Sequence, residues 1–211
     1  MSDSAPPPFD PLATQTLIRA AKDGDASSFE QLYERIAPAL YTWAELRVRP
    51  GMRSQLEPAD VVQEVWCRAW RSLEKFDPET VPFRLWIFRI AKNVLLEAFR
   101  KMGNPDRRKA GAAGPSTRMF ALQNLPDSVT AVSMRLMRDE NLKAFDGMVR
   151  SLDEDDQKLV VHVGLEGLPY HEAAERLGLT REAVAKRWQR LRAKLLDKGL
   201  PGQLLAADGV G

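Results

Sequence analysis

A short stretch near the C-terminal end carries side chains suited to reading base edges in duplex DNA. Arginine and lysine can donate to guanine, glutamine can pair with adenine, and glutamate can accept from cytosine N4. The candidate DNA contacts of this kind are Thr180, Arg181, Glu182, Lys186 and Gln189. Arg187 and Arg190 lie at the flanks of the same stretch and suit phosphates, which fix register without reading sequence. The pattern favours a DNA-contacting helix.

Two short helices with a tight turn would position these side chains. A first helix is predicted to begin near Pro169 or Tyr170, Gly178 permits a sharp turn, and Leu179 is predicted to fill the joint between the helices. Thr180 is a suitable N-cap for the second helix. The apolar spacing predicts that the second helix buries Val184, Trp188, Leu191 and Leu195. These features are typical of a helix-turn-helix, and the alternative is a solvated basic helix in a bundle.

A second group of basic and aromatic residues lies in the first half of the chain. Aromatic rings that stack on unpaired bases, combined with basic side chains that follow a backbone, are typical of single-strand binding. The candidates are Lys75, Phe76, Arg84, Trp86, Arg89, Lys92 and Asn93. Trp86 lies at the edge of an apolar stripe, so packing is its alternative role.

The charge distribution agrees with two separate contacts to a polyanion. The formal net charge is only +2. Eight basic and two acidic residues lie between Arg84 and Lys109, and seven basic and two acidic residues lie between Thr180 and Lys198. Two basic blocks in a nearly neutral chain favour nucleic acid as the partner, although either block alone could be a solvated helix face.

The composition limits the classes of protein that the chain can be. Its 44% hydrophobic content is ordinary for a soluble globular protein, and no apolar run approaches the ~20 residues needed to cross a bilayer. The start, MSDSAPPPFDP, lacks the basic and apolar regions of a signal peptide. A single cysteine, Cys67, excludes an internal disulfide framework. We therefore expect a cytoplasmic protein.

Helical periodicity runs through most of the chain and predicts an all-α fold of two small helical domains. The predicted segments are a disordered leader at 1–12, a four-helix domain at 13–102, a flexible linker at 103–126, a helix-turn-helix domain at 127–200 and a frayed tail at 201–211. The second domain is predicted to open on one long helix that carries Val132, Leu136, Leu142, Phe145, Val149 and Leu152. The acidic run at 153–156 is predicted to lie at a helix N-terminus, where negative charge is favourable.

Two stretches resemble the extracytoplasmic-function sigma factors of the sigma-70 family. EPADVVQEVWCRAWRSLEKFD followed by PFRLWIFRIAKNVLLEAFRK is similar to their promoter-melting domain. SLDEDDQKLVVHVGLEGLPYHEAAERLGLTREAVAKRWQRLRAKL is similar to their C-terminal domain, which binds the upstream promoter element. With a looser match over 17–46, the resemblance covers about four fifths of the chain. The sequence departs from the family pattern at Ala173, Glu182, Ala185 and Trp188.

The resemblance implies a promoter-directing subunit of RNA polymerase and no enzymatic activity. The first domain would grip the clamp helices of the polymerase β′ subunit and capture the unpaired non-template strand of the minus-ten element. The second would bind the minus-thirty-five element as duplex and contact the β flap. The polymerase contacts implied are Asp60, Gln63, Glu64 and Arg71, and Lys75 with Phe76 could form a loop that holds a flipped base. An anti-sigma factor and a monomeric free state are further implications.

Two other functions remain as alternatives. One is a helix-turn-helix regulator that binds DNA without polymerase, and the other is an interaction protein that only sequesters a partner. Neither a Gly-rich phosphate loop, a serine–histidine pair nor metal-spaced carboxylates occur in the sequence, and His162 and His171 have no cysteine nearby. We therefore expect no metal and no cofactor.

Overall fold

The computed structural model describes residues 11–48, 50–102, 127–199 and 204–206. Within these ranges the chain forms nine α-helices and no β-strand, which confirms the all-α prediction. The helices are α1 (Pro11–Lys22), α2 (Ala26–Arg47), α3 (Pro58–Ser72), α4 (Phe83–Met102), α5 (Asp127–Arg138), α6 (Glu140–Arg150), α7 (Glu154–Leu159), α8 (Tyr170–Leu177) and α9 (Arg181–Asp197). No helix in these ranges has both the length and the apolar character that a membrane span needs.

The chain is divided into two compact units. One contains Gln15–Arg138, and the other contains the chain from Asp139 onward, with the first turn of α1 assigned to the latter. The predicted leader at 1–12 lies outside the described residues except for its last two positions, which are helical. The predicted linker at 103–126 lies outside them entirely.

The first unit is built on capped, amphipathic helices around an aromatic core. Asp25 caps α2 by accepting a hydrogen bond from the Ser27 amide at 3.0 Å. The fully buried ring of Trp66, on α3, lies edge-on to Phe29 and Tyr33, with ring centroids 5.2 and 4.7 Å away. Such edge-to-face pairs add stability beyond the burial of their area. The apolar face of α3 is buried, and it fixes which side chains of that helix stay at the surface.

Asp139 breaks the helix that the sequence predicted to run unbroken from Val132 to Leu152. Its backbone is extended (φ −72°, ψ 110°), and its carboxylate accepts a hydrogen bond from the Asn141 amide at 2.8 Å. The single-helix prediction was wrong because aspartate caps a new helix more favourably than it continues an old one.

Helix α5 packs against α2 and α3, so it lies with the first unit, whereas the sequence prediction assigned it to the second. Its side chains Val132 and Leu136 are buried. Arg135 lies 3.7 Å from the Glu34 carboxylate of α2. The change from one compact unit to the other therefore falls between Arg138 and Asp139.

The second unit encloses the indole of Trp188, which is 1% exposed. A π-helical turn, Val160–Leu165, follows α7 and lies against this ring. Leu204 and Leu205 are each 2% exposed, and the Ala206 amide donates to the Gly164 carbonyl oxygen at 2.7 Å. The prediction of a frayed tail is therefore wrong for 204–206, because these residues complete the core.

Candidate nucleic-acid interfaces

The helix-turn-helix predicted from the sequence is formed by α8, a glycine turn and α9. Gly178 ends α8 in the left-handed conformation (φ +66°), which glycine adopts without strain. The Thr180 hydroxyl accepts a hydrogen bond from the Ala183 amide at 3.2 Å and caps α9. Leu179 does not fill the joint as predicted, since it is 37% exposed.

Helix α9 buries one face and presents a polar one. Val184, Trp188, Leu191 and Leu195 are buried, as predicted. The predicted DNA contacts that are exposed are Thr180, Arg181, Glu182, Lys186, Gln189 and Arg190. These exposed side chains offer hydrogen-bond donors and acceptors for base edges. The guanidinium of Arg190 adds a positive charge on the same helix.

Arg187 is the exception on α9, because its guanidinium binds carboxylates of the same chain. Its Nε lies 2.6 Å from Asp156, its Nη2 lies 2.8 Å from Asp153, and its Nη1 lies 3.4 Å from Asp155. The hydrogen bond to Asp156, followed by the charges of all three aspartates, raises the pKa of Arg187 above its usual value. Three of the five N–H donors that the sequence assigned to a phosphate are therefore engaged within the unit.

The single-strand candidates on α4 divide between surface and core. Arg89 and Asn93 are exposed, and Trp86 and Lys92 are half-buried. Arg84 is only 4% exposed, and desolvation lowers its pKa to about 9. Its guanidinium lies over the ring of Phe88, 5.6 Å from the centroid. This position removes Arg84 from the surface where the sequence placed it.

The aromatic pair at the start of α4 is packed within the unit. The rings of Phe76 and Trp86 have centroids 4.5 Å apart at 30°, and Phe76 is 4% exposed. Of the two residues predicted to hold a flipped base, Lys75 is exposed and Phe76 is buried. Lys22, on α1, donates from Nζ to the Phe76 carbonyl oxygen at 2.5 Å and so ties this loop to α1. No feature of the local sequence indicated that tie.

On α3 the predicted polymerase contacts lie at the edge of the buried stripe. Asp60, Gln63 and Glu64 are half-buried, and Arg71 is exposed. The Asp60 carboxylate accepts a hydrogen bond from the Glu57 amide at 3.2 Å and so closes a capping box. Asp60 therefore has a structural role in addition to any contact with a partner.

Arg68 ties this edge of α3 to α4. Its guanidinium makes two hydrogen bonds to Glu97, of 2.9 and 2.8 Å, and one of 2.8 Å to Glu64. The bond to Arg68 lowers the pKa of Glu97. The negative charge of Glu64 is thus partly neutralised before any partner binds. The two partners Arg68 and Glu97 are 29 residues apart, so residue spacing on α3 alone does not predict this role.

The described residues contain no cluster of histidine, cysteine and carboxylate side chains that could hold a metal ion. His162 lies within the second unit, with its Nδ1 3.1 Å from the carboxylate of the fully buried Glu166. The Arg176 guanidinium lies 3.8 Å from the same carboxylate. These contacts give His162 a structural role in the packing of the helix-turn-helix.

Comparison with known proteins decides the family. The model of sigma-70 region 2 matches residues 32–104, and the model of sigma-70 region 4 matches residues 142–195. The RNA polymerase sigma factor NccH of Alcaligenes xylosoxydans is 30% identical over 88% of this chain and 94% of its own length. The chain belongs to the sigma-70 family of RNA polymerase sigma factors. The family consists of initiation factors, so this sigma factor acts with RNA polymerase on promoter DNA.

Other relatives place this sigma factor in the extracytoplasmic-function group. CnrH of Cupriavidus metallidurans is 31% identical over 87% of this chain and 92% of its own length. The extracytoplasmic-function sigma-E factor of Haemophilus influenzae is 28% identical over 90% of this chain and 97% of its own. A solved structure of CnrH in complex with the cytosolic domain of CnrY covers 88% of this chain and 96% of that one, with 28% identity and a TM-score of 0.45. A promoter-specific initiation factor is thus favoured over a regulator that acts without polymerase.

Proposed function

We propose that this sigma factor divides promoter recognition between α9, which reads the minus-thirty-five element as duplex, and α4, which holds the unpaired minus-ten strand. The observation that carries this proposal is the exposed polar face of α9. This face presents base-reading side chains on a helix that is capped at its start and follows a glycine turn. Arg181, Glu182, Lys186 and Gln189 are the base-reading residues, and Arg190 holds a phosphate.

The minus-ten strand is assigned to the exposed part of α4 and the loop before it. Arg89, Lys92 and Asn93 offer charge and hydrogen bonds, and Lys75 lies at the loop. The half-buried Trp86 offers a ring edge at the same end of the helix. Arg84 has no part in this assignment, because it is buried. Base stacking by Phe76 would require the Phe76–Trp86 pair to open.

Core polymerase is assigned to α3. Asp60, Gln63, Glu64 and Arg71 remain at its surface, where they would meet the β′ clamp helices. Part of the acidic charge there is already balanced by Arg68, so shape and hydrogen bonds contribute alongside charge. The β flap is assigned to the second unit. The protein so described is a cytoplasmic subunit without enzymatic activity of its own.

A protein partner that restrains this sigma factor is part of the proposal. The relative CnrH has been solved in complex with the cytosolic domain of CnrY. We assign to this chain an anti-sigma partner, and a monomeric state when no partner is bound.

Transcription in vitro tests the proposal. Genomic fragments are transcribed by core RNA polymerase with and without the protein, and the same fragments are tested by gel shift with the protein alone. The expected result is a set of new transcripts that share two sequence elements, with tight binding only when core polymerase is present. Tight, sequence-specific binding to naked duplex without new transcripts would instead support a polymerase-independent regulator.

A further inference from the structure

Arg187 lies on the DNA-reading helix, but its side chain points to another part of the same unit. Three carboxylates at the start of α7 surround its guanidinium, at 2.6, 2.8 and 3.4 Å. Every nitrogen of the guanidinium takes part in these contacts. Three of its five N–H groups are engaged in this way, so a phosphate would have to displace a carboxylate or bind only the two that remain.

The carboxylates are themselves fixed by the helix that they cap. Asp153 is the N-cap of α7, and its side chain accepts a hydrogen bond from the Asp156 amide at 2.9 Å. Asp156 is the least exposed of the three, with 20% of its side chain accessible, and Arg187 is 30% exposed. Charge-assisted hydrogen bonds at a partly covered site are stronger and more directional than those of a fully exposed ion pair. The network therefore links the N-terminus of α7 to the middle of α9.

We infer that Arg187 is a positioning residue that holds α9 at a fixed rotation against α7 and does not contact DNA phosphate. This inference rests on the proposed reading of duplex DNA by α9. The neighbouring Lys186 is exposed, and Arg190, one turn further, is exposed as well. Hydrogen bonds to base edges need a set distance and angle, so a small rotation of α9 would weaken every base contact at once.

The same carboxylates also place negative charge at the surface beside α9. Asp153 and Asp155 are 62% and 59% exposed, so they carry negative charge at the surface beside Arg187. Phosphates are repelled from like charge, which disfavours docking on that flank. Arg187 and the three aspartates therefore raise specificity by fixing the helix.

Salt dependence separates a positioning residue from a phosphate contact. The full chain is assembled with core RNA polymerase and titrated onto two duplexes, one enriched by the wild-type holoenzyme from a randomised pool and one unselected. The binding constant K falls as the salt concentration rises. Loss of one phosphate contact reduces the magnitude of the slope of log K against log salt by about 0.9. The variants are Arg187→Ala, Arg187→Lys and Asp156→Asn, with Arg190→Ala as the matched control for a phosphate contact.

Arg187→Ala is expected to reduce the preference for the selected duplex roughly tenfold, the equivalent of one base contact, and to leave the salt slope unchanged. Asp156→Asn is expected to reduce the same preference, although it removes a negative charge close to DNA. Arg187→Lys should show more of the preference than Arg187→Ala, because the positive charge is kept. It should not show all of it, because a single ammonium cannot bridge three carboxylates. Arg190→Ala should weaken binding to both duplexes and lower the slope.

Two results would overturn the inference and leave the proposed function intact. One is a slope that falls by about one unit in Arg187→Ala, with equal loss on both duplexes. The other is tighter binding with a steeper slope in Asp156→Asn, which would mean that Arg187 had been released to a phosphate. If Arg187→Ala does not fold, as thermal unfolding will show, Arg187→Lys and Asp156→Asn decide. A wild-type protein with no duplex preference would contradict the proposed function itself.

Discussion

The indole of Trp188 occupies the space that a side chain on Gly164 would need. A Cβ at Gly164 would lie 2.6 Å from Cη2 of Trp188 and 3.0 Å from Cδ2 of Leu205. The large ring of Trp188 on α9 therefore packs where the π-helical turn has a glycine, which carries no side chain. Gly164 thus makes room for Trp188, one of the positions at which the resemblance to the family predicted a departure.

Gly164→Ala should destabilise the second unit by about 1–3 kcal/mol, because the ring of Trp188 is rigid and enclosed and cannot yield without strain. Chemical denaturation measures the loss. The matched control is Gly147→Ala on α6, where an added Cβ meets nothing within 4 Å. That variant should gain up to ~1 kcal/mol from helix propensity. Equal effects of the two substitutions would show that the contact with Trp188 is not decisive.

The segment at 204–206 should contribute to stability in a way that a loose tail would not. Replacing Leu204 and Leu205 by alanine should cost about 2–5 kcal/mol for each buried side chain. A chain that stops after Ala206 keeps both side chains and the Ala206–Gly164 hydrogen bond, so it serves as the control. Thermal unfolding compares the two. Loss of stability in the control alone would mean that the stabilising residues lie beyond 206.

On α9, base reading and phosphate binding should separate by position. Lys186→Ala or Arg181→Ala should cost roughly 1–3 kcal/mol on the preferred sequence and relax specificity at one position. Arg190→Ala should weaken binding to all sequences alike and lower the salt slope by about one. Binding of the holoenzyme to a panel of single-base variants measures both effects. Altered base preference in Arg190→Ala, but not in the other two, would place the helix differently in the groove.

Two arginines of α4 should behave oppositely towards the minus-ten strand. Arg89→Ala should weaken binding of the holoenzyme to a single-stranded non-template oligonucleotide and reduce the salt slope by about 0.7. Arg84→Met should leave that slope unchanged, since Arg84 is buried. An equal loss of slope in both variants would contradict this division.

The negative charge of α3 should contribute to the affinity for core polymerase even when the local hydrogen bonds are kept. Asp60→Asn with Glu64→Gln retains acceptors for the Glu57 amide and for Arg68 but removes two charges. The double variant should bind core polymerase about tenfold more weakly, mainly through slower association. Asp23→Asn, an exposed change outside α3, is the control. Surface plasmon resonance that shows unchanged affinity in the double variant would exclude a charge contribution.

Local signals made much of the fold predictable. Thr180, Gly178 and Asp153 each act within one helical turn of their own position, so the sequence alone identified a cap, a turn and an acidic helix N-terminus. Asp139 carried the same kind of signal, but apolar residues on both sides of it favoured one long helix. The burial of Arg84 was also readable in principle. It shares the i, i+4 spacing of buried Phe88, Ala91 and Leu95.

The features that the sequence did not predict are contacts between distant positions. Arg187 meets aspartates that are 31 to 34 residues away, and Lys22 meets Phe76 across 54 residues. From the sequence, a basic residue on a DNA-reading helix predicts a phosphate contact. The sequence does not show whether an acidic turn of the same chain lies against that residue. Only the packing of α7 on α9 distinguishes the two roles.

The position of α5 changes which part of the chain can tolerate a change in length. Because α4 and α5 both belong to the first unit, residues 103–126 connect two helices of the same unit. The entropic cost of joining two fixed ends rises only slowly with the number of residues between them, so insertions there burden one unit alone. Residues added between Arg138 and Asp139 would instead lengthen the tether through which one unit is joined to the next. Duplications or deletions that suit a new distance between promoter elements would therefore be selected at this junction, whereas changes in length at 103–126 would not alter that distance.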